Sequence, residues 1–291
     1  MIKAKILLAS EAPDGSRLYT YELTYPRFIH SEVMTHRAFS KNSASSRAIP
    51  FEKMTKLVAE DTAYPERWPE EQKGMQGGEE LPEPNKRRVM SIWKLACDNA
   101  ITVSEMLHKE GLHKSLCNRI LEPFAHMTVI FTGTRKALGH FFALRANPAA
   151  MPEFQVLAYR MLNEYLQFDN VQFLREGDWH IPFDESSYPI KDRLKIATGR
   201  IARVSYLTHD GVRDFKKDIE LHDKLASAYP MHASPFEHCA MVVGGDDDRQ
   251  VKGNFGRPWI QYRSMMNNET IEVNDGYLAE LDDQRPAWIT V

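Results

Sequence analysis

Cysteine is scarce in this sequence, and long apolar runs are missing from it. Cys97, Cys117 and Cys239 are the only three cysteines in 291 residues, and none lies in a CxxC pair. An odd, scattered set disfavours a disulfide framework and a four-thiolate zinc site, so we expect a reducing, cytoplasmic setting. No stretch approaches the roughly 18 apolar residues that span a bilayer, and the opening apolar run is too short for a signal-peptide core. We therefore expect no membrane association.

Signatures of several enzyme classes are missing as well. The sequence has no GxxxxGK[ST] loop, no GxGxxG after a strand and no GxSxG elbow, which leaves classical nucleotide hydrolases, Rossmann enzymes and serine hydrolases without support. It also lacks an excess of one charge, since 37 Lys and Arg nearly balance 40 Asp and Glu, for a net charge of -3. This balance argues against a protein that coats a nucleic-acid polymer. It is compatible with a small anionic ligand that binds in a local basic pocket.

The pattern of apolar residues predicts a helix-rich α+β chain. An alternating run rich in aromatic and β-branched residues predicts a strand over residues 18–25, ended by Pro26. Helical spacing and breakers predict helices over residues 27–40, 85–110, 135–145, 152–168, 190–206 and 212–227, and a short apolar run predicts a buried strand over 239–243. The length allows one large domain or two modest ones, with a core that needs no disulfide or metal.

Two irregular stretches organise the chain. The Pro-, Gly- and acid-rich residues 63–85 predict an exposed excursion and a candidate mobile lid. A connection with Trp and Pro over residues 177–189 divides the chain, and we expect the parts 1–176 and 177–291 to form one compact unit.

The densest group of polar chemistry lies between residues 35 and 47. Thr35, His36 and Arg37 open it, and behind them stand Ser40, Asn42, Ser43, Ser45, Ser46 and Arg47. We expect a turn or binding loop over residues 41–47. Its hydroxyls and amides can donate hydrogen bonds, and the two guanidiniums match phosphate oxygens, so the segment is a candidate anion-binding site, here called the cradle. On the predicted helix, His36 and Ser40 would share a face. A solvated, serine-rich helix end is the alternative.

Two further groups of polar residues follow. One holds Asn118, Arg119 and Glu122, then Arg135, Lys136, His140 and Arg145. On a helix, Lys136 and His140 can lie on the same face, whereas Arg145 cannot share it with both. The alternative to a binding site is an ordinary charged helix surface. The other group is the histidine box over residues 232–238, with His232, Ser234, Glu237 and His238. Its proline interrupts any helix and HExxH spacing is missing, so a hydrogen-bonding turn is favoured and no metal is expected.

Together these motifs resemble the flavin-dependent thymidylate synthases. The signature of that family is Arg-His-Arg, seven residues, then Ser, and here Thr35-His36-Arg37 is followed at that distance by Ser45. The resemblance continues over residues 119–123 and 132–145. An Ala-Arg-Val-Ser-Tyr stretch over residues 202–206 and the histidine box also match, but they follow the signature instead of preceding it. The resemblance therefore implies a circularly rearranged or partly duplicated member.

A weak internal sequence repeat is consistent with this order of motifs. Arg263 is followed five residues later by Asn268, as Arg37 is by Asn42, and the second pair falls where the family places its signature after the histidine box. Ile271 and Val273 stand where a nucleotide site would need Ser and Arg. We therefore expect the first copy to hold the nucleotide phosphate and the second to be structural or to touch cofactor.

The resemblance implies a fold, a reaction and cofactors. The fold would be helix-rich α+β, like that of the flavin-dependent thymidylate synthases, with an antiparallel sheet. The reaction would move a one-carbon unit from methylenetetrahydrofolate to C5 of a pyrimidine deoxynucleoside monophosphate, most simply dUMP to dTMP. FAD would carry the electrons, NADPH would serve as reductant, and no protein nucleophile would be needed. The family also implies a homo-oligomer, a tetramer or a dimer.

The same resemblance implies roles for individual residues. Arg145 matches the arginine that contacts the pyrimidine and favours its ionisation at N3, which makes C5 more nucleophilic. The residues that match nucleotide contacts are Ser45, Arg47 and Arg119. Those that match flavin contacts are His36, Arg37, Lys136, His140 and Ser234, and His232 matches a histidine near the flavin and the folate.

Four departures from the family pattern leave alternatives open. Thr35 replaces the first signature arginine, Ser43 replaces a usual flavin-contacting Glu, and residues 134–136 replace an Asn-x-Arg, so the flavin phosphates are expected to be held differently. Glu32 stands where members often carry a nucleotide-contacting Gln, and its carboxylate would suit the amine of cytosine. The alternatives are a hydroxymethylase of dCMP or dUMP and a noncatalytic nucleotide-binding homologue.

Overall fold

A five-stranded sheet forms the centre of the protein. The computed structural model describes residues 1–205, 214–244, 253–269, 275–286 and 288–289. The sheet has the order β3-β4-β2-β1-β5, and its strands are β1 (Lys3–Glu11), β2 (Arg17–Pro26), β3 (Ser40–Ser43), β4 (His126–Thr134) and β5 (Val171–Phe173). The first four strands in this order pair antiparallel, and β5 joins β1 in parallel. The expected α+β fold with an antiparallel sheet is confirmed.

Alternation along the central strands divides the side chains between the two faces of the sheet. Tyr19, Tyr21, Leu23 and Tyr25 of β2 lie in the main apolar core, together with residues of α5 (Arg135–Arg145) and α6 (Pro152–Gln167). Ile130 of β4 faces the other side, where α7 (Ile190–Ser205) contributes Ile201 and Val204. Helices therefore cover both faces of β4.

The remaining helices and strands surround this arrangement. A second apolar cluster holds residues of α2 (Phe51–Glu60), α3 (Glu83–Lys109) and α4 (Lys114–Leu121). A smaller sheet has the order β6-β7-β8, with β6 (Trp179–His180), β7 (Ala240–Val242) and β8 (Trp259–Gln261). The other helices are α1 (His30–Met34), α8 (Phe215–Ala226) and α9 (Asp275–Asp283), and single 3-10 turns cover Arg27–Ile29, Glu122–Phe124, Ser234–Glu237 and Tyr262–Met265.

Most predicted helices are confirmed, with bounds within two residues for α3, α5, α6 and α7. The helix predicted over residues 212–227 is confirmed as α8, which begins at Phe215. Residues 206–213 lie outside the described residues. The strand predicted over 239–243 is β7. In the exposed excursion predicted over residues 63–85, Ala63 and Trp68 are buried, whereas residues 69–85 are largely exposed and a bridge joins Pro69 to Glu80. Their role as a mobile lid stays a prediction.

The helix predicted over residues 27–40 is confirmed only as far as Met34 and is wrong beyond it. A 3-10 turn precedes α1, which ends at Met34, and β3 begins at Ser40. The chain leaves the helix because the Phe39 ring stacks on Phe131 of β4, with centroids 4.2 Å apart, and β3 then pairs with β4. His36 and Ser40 therefore do not share a helix face, and half of the predicted binding loop is an edge strand.

Two general properties complete the description. Within the described ranges, none of the helices is both long and apolar enough to cross a membrane. Cys97, Cys117 and Cys239 are all buried and form no disulfide.

Candidate functional site

The signature segment supplies the edge strand of the large sheet. Ser40 pairs with Thr132 and Ser43 with Val129, and a Cβ on Gly133 would lie 2.2 Å from the Phe39 ring. The glycine thus gives the segment room to approach β4. His36 precedes this strand and Ser45 follows it, so the two halves of the predicted cradle lie at opposite ends of β3, which spans roughly 10 Å.

Before β3, His36 and Arg145 are in direct contact. Arg145 ends α5 and donates from Nε to Nε2 of His36 over 2.9 Å. Its guanidinium carbon also lies 4.4 Å from the centroid of the Phe154 ring, and His36 packs edge-on against Phe141. The two terminal nitrogens of Arg145 make no hydrogen bond with another described residue. They are the part of this side chain that can contact a ligand.

The protonation state of His36 follows from its surroundings. Burial, and then the positive charges of Arg145, Lys41 and His140, lowers the pKa of His36 to about 4. Lys41 donates from Nζ to the carbonyl of His36 at 2.6 Å, and burial lowers the pKa of this lysine. His36 is therefore neutral near pH 7 and accepts the hydrogen bond from Arg145.

After β3, the loop that carries Ser45 and Arg47 is held from inside the protein. Asn118 of α4 is buried, and its Nδ2 donates to the carbonyls of Ser46 at 2.8 Å and Ile49 at 3.0 Å. The side chains of Ser45 and Arg47 are exposed and make no hydrogen bond with another described residue. The backbone of the loop is fixed while its predicted ligand contacts face solvent.

Glu122 links the same loop to the third predicted nucleotide contact. Its Oε1 accepts a short hydrogen bond from Ser46 Oγ and lies 3.1 Å from Arg27 and 3.6 Å from Arg119. The side chain of Arg119 is 55% exposed, so this pairing leaves part of it accessible. Glu122 thus connects Arg119 to the loop that carries Ser45 and Arg47, at the end of β3 opposite His36.

The histidine box lies against the face of β3 from which Ser40 and Asn42 project. Ser234 Oγ donates to Asn42 Oδ1 at 2.9 Å. Gln261 of β8 is buried, and its Nε2 lies 2.7 Å from both Ser40 Oγ and the carbonyl of Glu237. Motifs from both parts of the chain therefore meet at β3.

The other polar residues of the box have separate partners. His238 is buried with Nδ1 2.7 Å from Thr132 Oγ1, Glu237 pairs with Arg263, and His232 is exposed. These side chains do not converge on a common point. No group of three or more His, Cys, Asp or Glu within the described part of the chain could hold a metal ion.

A buried polar chain under the box was not predicted from the sequence. Thr132 Oγ1 lies 2.8 Å from Thr20 Oγ1, Thr20 lies 2.8 Å from His180 Nε2, and His180 Nδ1 lies 2.8 Å from Ser10 Oγ. Burial lowers the pKa of His180 and of His238 to about 3, so both rings are neutral. This network joins β1, β2, β4 and β6. No sequence pattern identifies it, because β1, β2 and β4 each carry other polar residues as well.

The remaining predicted residues lie at the surface. Lys136 and His140 are exposed on α5. Arg37 and His232 are also exposed, in other parts of the chain. Glu32 is exposed on α1 and accepts a hydrogen bond from Ser31. Lys136 also lines a cavity of about 450 Å³ at the start of α5, together with Arg17, Arg135 and Arg257.

Comparisons with known proteins identify a family and solved structures of similar fold. The sequence profile of the family described as thymidylate synthase complementing protein matches residues 17–168. No curated protein sequence matches significantly. A crystal structure of the UMP/dUMP methylase PolB from Streptomyces cacaoi, bound with 5-Br dUMP, is similar with a TM-score of 0.47 and 15% identity, over 57% of this chain and 90% of that chain.

Proposed function

The chain belongs to the thymidylate synthase complementing protein family, whose profile covers just over half of it, and we propose that it transfers a one-carbon unit from methylenetetrahydrofolate to C5 of a pyrimidine deoxynucleoside monophosphate. In this proposal the substrate is dUMP, the product is dTMP, FAD is the cofactor and NADPH the reductant. The observation that carries the proposal is the contact between His36 of the signature and Arg145.

Arg145 would act on the pyrimidine ring. Its guanidinium is planar and permanently charged, and its terminal nitrogens have no partner among the described residues. Negative charge that develops on the ring when N3 ionises would be stabilised by this cation, which raises the nucleophilicity of C5. Because His36 and Phe154 already hold the guanidinium, little reorganisation is needed when the charge appears.

His36 would orient Arg145 instead of contacting the flavin through Nε2. That nitrogen already accepts the hydrogen bond from Arg145 at 2.9 Å. A protonated ring could not accept it, and the lowered pKa of His36 keeps the acceptor available. We therefore treat His36 as a positioning residue for the pyrimidine contact.

The loop after β3 would bind the phosphate of the nucleotide. Ser45 offers a hydroxyl, and Arg47 and Arg119 offer guanidiniums whose forks match phosphate oxygens. Asn118 and Glu122 hold the surrounding backbone and side chains in place, so this group needs little ordering when the ligand binds.

The residues at the start of α5 fit an anionic cofactor. Arg135 and Lys136 are exposed and have no hydrogen-bond or ion-pair partner among the described residues, and they share a cavity with two more arginines. Such a donor set suits the phosphates of FAD. By the family pattern, the residues that would hold FAD are Arg37, Lys136, His140, His232 and Ser234. When bound, FAD would supply the electron transfer that side chains cannot.

The direct test combines a spectrum with a turnover assay. Purified protein should carry or bind a yellow flavin, and dUMP with methylenetetrahydrofolate and a reductant should give dTMP by mass spectrometry. A protein that binds dUMP in calorimetry but forms no product with any donor would contradict the proposal. That result would identify a noncatalytic nucleotide-binding member of the family.

Glu32 supports a second candidate, a hydroxymethylase of dCMP or dUMP. Its exposed carboxylate lies on α1, six residues after Pro26, where family members often carry a nucleotide-contacting Gln. A carboxylate accepts hydrogen bonds, which suits the exocyclic amine of cytosine. Water would then capture the transferred carbon, so the product would exceed the substrate by CH2O and no net reductant would be consumed. Mass spectrometry with dCMP and dUMP separates the two reactions.

A homo-oligomer of two or four chains is part of the same proposal. Five large apolar side chains of α3 are exposed in the single chain, namely Met90, Ile92, Leu95, Val103 and Met106. Exposed apolar surface of this kind is typical of contacts between subunits. Light scattering should give the mass of a dimer or tetramer, and Leu95→Glu should lower it, whereas a monomer at micromolar concentration would contradict the expectation.

A further inference from the structure

Lys41 ties together the turn that joins α1 to β3. Its Nζ donates to the carbonyl of His36 at 2.6 Å and to the carbonyl of Phe39 at 3.2 Å. The backbone hydrogen bond that closes the same turn, from the amide of Phe39 to the carbonyl of His36, is longer, at 3.4 Å. We propose that Lys41 is a positioning residue, which fixes the ring of His36 as a neutral acceptor for Arg145.

The side chain of Lys41 reaches this turn from the face of β3 that is turned towards the main apolar core. Lys41 pairs with Phe131 of β4, and directly opposite residues of antiparallel strands project from the same face. Phe131 belongs to that core together with Phe141, and the ring of Phe141 packs edge-on against His36 with centroids 4.9 Å apart. Lys41 therefore acts on the turn from the side on which the His36 ring packs.

Closing a turn with a lysine is costly, because withdrawing an ammonium from water is unfavourable unless the charge is paired. Lys41 is half-buried, and burial lowers its pKa, which the charge of Glu237 partly opposes. Glu237 itself pairs with Arg263, so it does not cancel the charge of Lys41. A neutral amide could donate to the same carbonyls at a smaller cost. The charge of Lys41 is therefore expected to have an effect of its own.

The effect of this charge falls on His36. Burial, followed by the charges of Arg145, Lys41 and His140, lowers the pKa of His36 to about 4, because a nearby like charge disfavours the imidazolium. A protonated ring could not accept the hydrogen bond of 2.9 Å from Arg145. The charge of Lys41 also acts on His30 of α1, whose pKa is lowered to about 4 chiefly by burial. Lys41 thus both holds the turn and keeps the acceptor unprotonated.

The charge is tested on the ligand-free chain by the 15N chemical shifts of the imidazoles, with the His36 signal assigned by its absence from His36→Phe. Lys41→Met removes the charge and both hydrogen bonds but keeps an unbranched side chain. At about pH 5 it should raise the protonated fraction of His36 about two-fold or more. Lys41→Gln keeps an N–H donor without the charge and should give a similar rise. Lys5→Met removes an exposed lysine of β1 and should leave this fraction unchanged.

The hydrogen bonds are tested by turnover, and this part of the inference rests on the proposed function. Near pH 7, Lys41→Met should lower kcat for one-carbon transfer about ten-fold, because Arg145 loses its oriented acceptor. The KM for the nucleotide should change less than about two-fold, because the predicted phosphate contacts lie at the other end of β3. Lys41→Gln should recover part of kcat, and Lys5→Met should keep the wild-type value. Unchanged thermal unfolding shows that the variants fold, and Lys41→Gln carries the protonation test if Lys41→Met does not.

Equal protonation of His36 in the wild type and the Lys41 variants overturns the inference. A loss of kcat that Lys41→Gln does not relieve also overturns it, because the lysine would then contribute only packing. One-carbon transfer at the wild-type rate in Lys41→Met would keep the proposed function and reject the role of Lys41. Protonation of His36 that rises in Lys41→Met and not in Lys5→Met, in a chain without transfer activity, would do the reverse.

Discussion

Arg145 donates a hydrogen bond over 2.9 Å to His36, an imidazole that is neutral near pH 7. An arginine that pairs with a carboxylate has much of its charge balanced by that partner, whereas a neutral acceptor orients the guanidinium and leaves its charge in place. Phe154 adds a second contact that does not neutralise it, with its ring centroid 4.4 Å from the guanidinium carbon. The pair is therefore suited to hold a cation against an anionic ring.

Arg145→Ala should lower the rate of one-carbon transfer by about 10²–10³, as is typical when a charge-stabilising donor is removed. The fold should survive, because the guanidinium is only partly buried and contributes little to core packing. Single-turnover kinetics and thermal unfolding measure the two effects. Arg160→Ala removes an exposed cation of α6 and serves as the matched control. Unchanged turnover in Arg145→Ala would remove this residue from the site.

Two substitutions of His36 separate orientation from packing. His36→Phe keeps a ring against Phe141 but removes the acceptor, so kcat should fall about 10- to 100-fold as Arg145 loses its orientation. His36→Gln restores an acceptor and should recover part of the rate, with little change in KM for the nucleotide in either variant. Equal rates in the two variants would show that His36 acts only through packing.

Gln261 should stabilise the junction between the histidine box and β3. Gln261→Leu removes both hydrogen bonds from Nε2 and leaves Ser40 Oγ and the carbonyl of Glu237 with a lost partner, so the free energy of unfolding should fall by about 2–3 kcal/mol. Chemical denaturation of Gln261→Leu, Ser40→Ala and the double variant isolates the coupling between the two side chains. Gln167→Leu on the exposed end of α6 should change the stability by less than about 0.5 kcal/mol. Additive losses in the cycle would contradict a direct interaction.

Stability should decrease as the pH falls below 6.5. The pKa of His180 and His238 is lowered to about 3 and that of His30 and His36 to about 4, in each case chiefly by burial. Below pH 6.5 the unfolded chain therefore binds more protons than the folded one, and each such imidazole removes up to about 1.4 kcal/mol per pH unit.

Urea denaturation between pH 6.5 and 5 measures this slope before most carboxylates, with an ordinary pKa of about 4, begin to titrate. His180→Asn should give a shallower slope than the wild-type chain, because it removes one imidazole that gains a proton on unfolding. A wild-type stability that is constant over this range would show that these imidazoles titrate normally in the folded protein.

The sequence predicted helices better than strands, for a physical reason. α5 was predicted with its true bounds because its apolar spacing is helical and it lies before the breaker at Asn147 and Pro148. β1 and β4 were missed because each has a continuous apolar run, over residues 6–9 and 129–131, so the alternation that identified β2 is absent from them. β6 and β8 are only two and three residues long, too short for any period.

Within the candidate site, motifs identified residues but not their contacts. His36 and Arg145 were assigned to the site separately, and their hydrogen bond joins positions 109 residues apart. His180 was missed because it lies in no motif, although it links Ser10 and Thr20 in the buried network. The second signature could be tested only in part, since Ile271 and Val273 lie outside the described residues. Its first residues, including Gln261, pack against β3.

The cover of β3 has a consequence for synthesis of the chain. Ser40 and Asn42 project from the same face of β3, and the side chains that bond them, Gln261 and Ser234, come 221 and 192 residues later in the chain. At about 5–20 residues per second, the ribosome needs on the order of ten seconds or more to make that distance. Until then Ser40 and Asn42 lack these hydrogen-bond partners. The signature segment therefore cannot complete its polar contacts until the last third of the protein has been made.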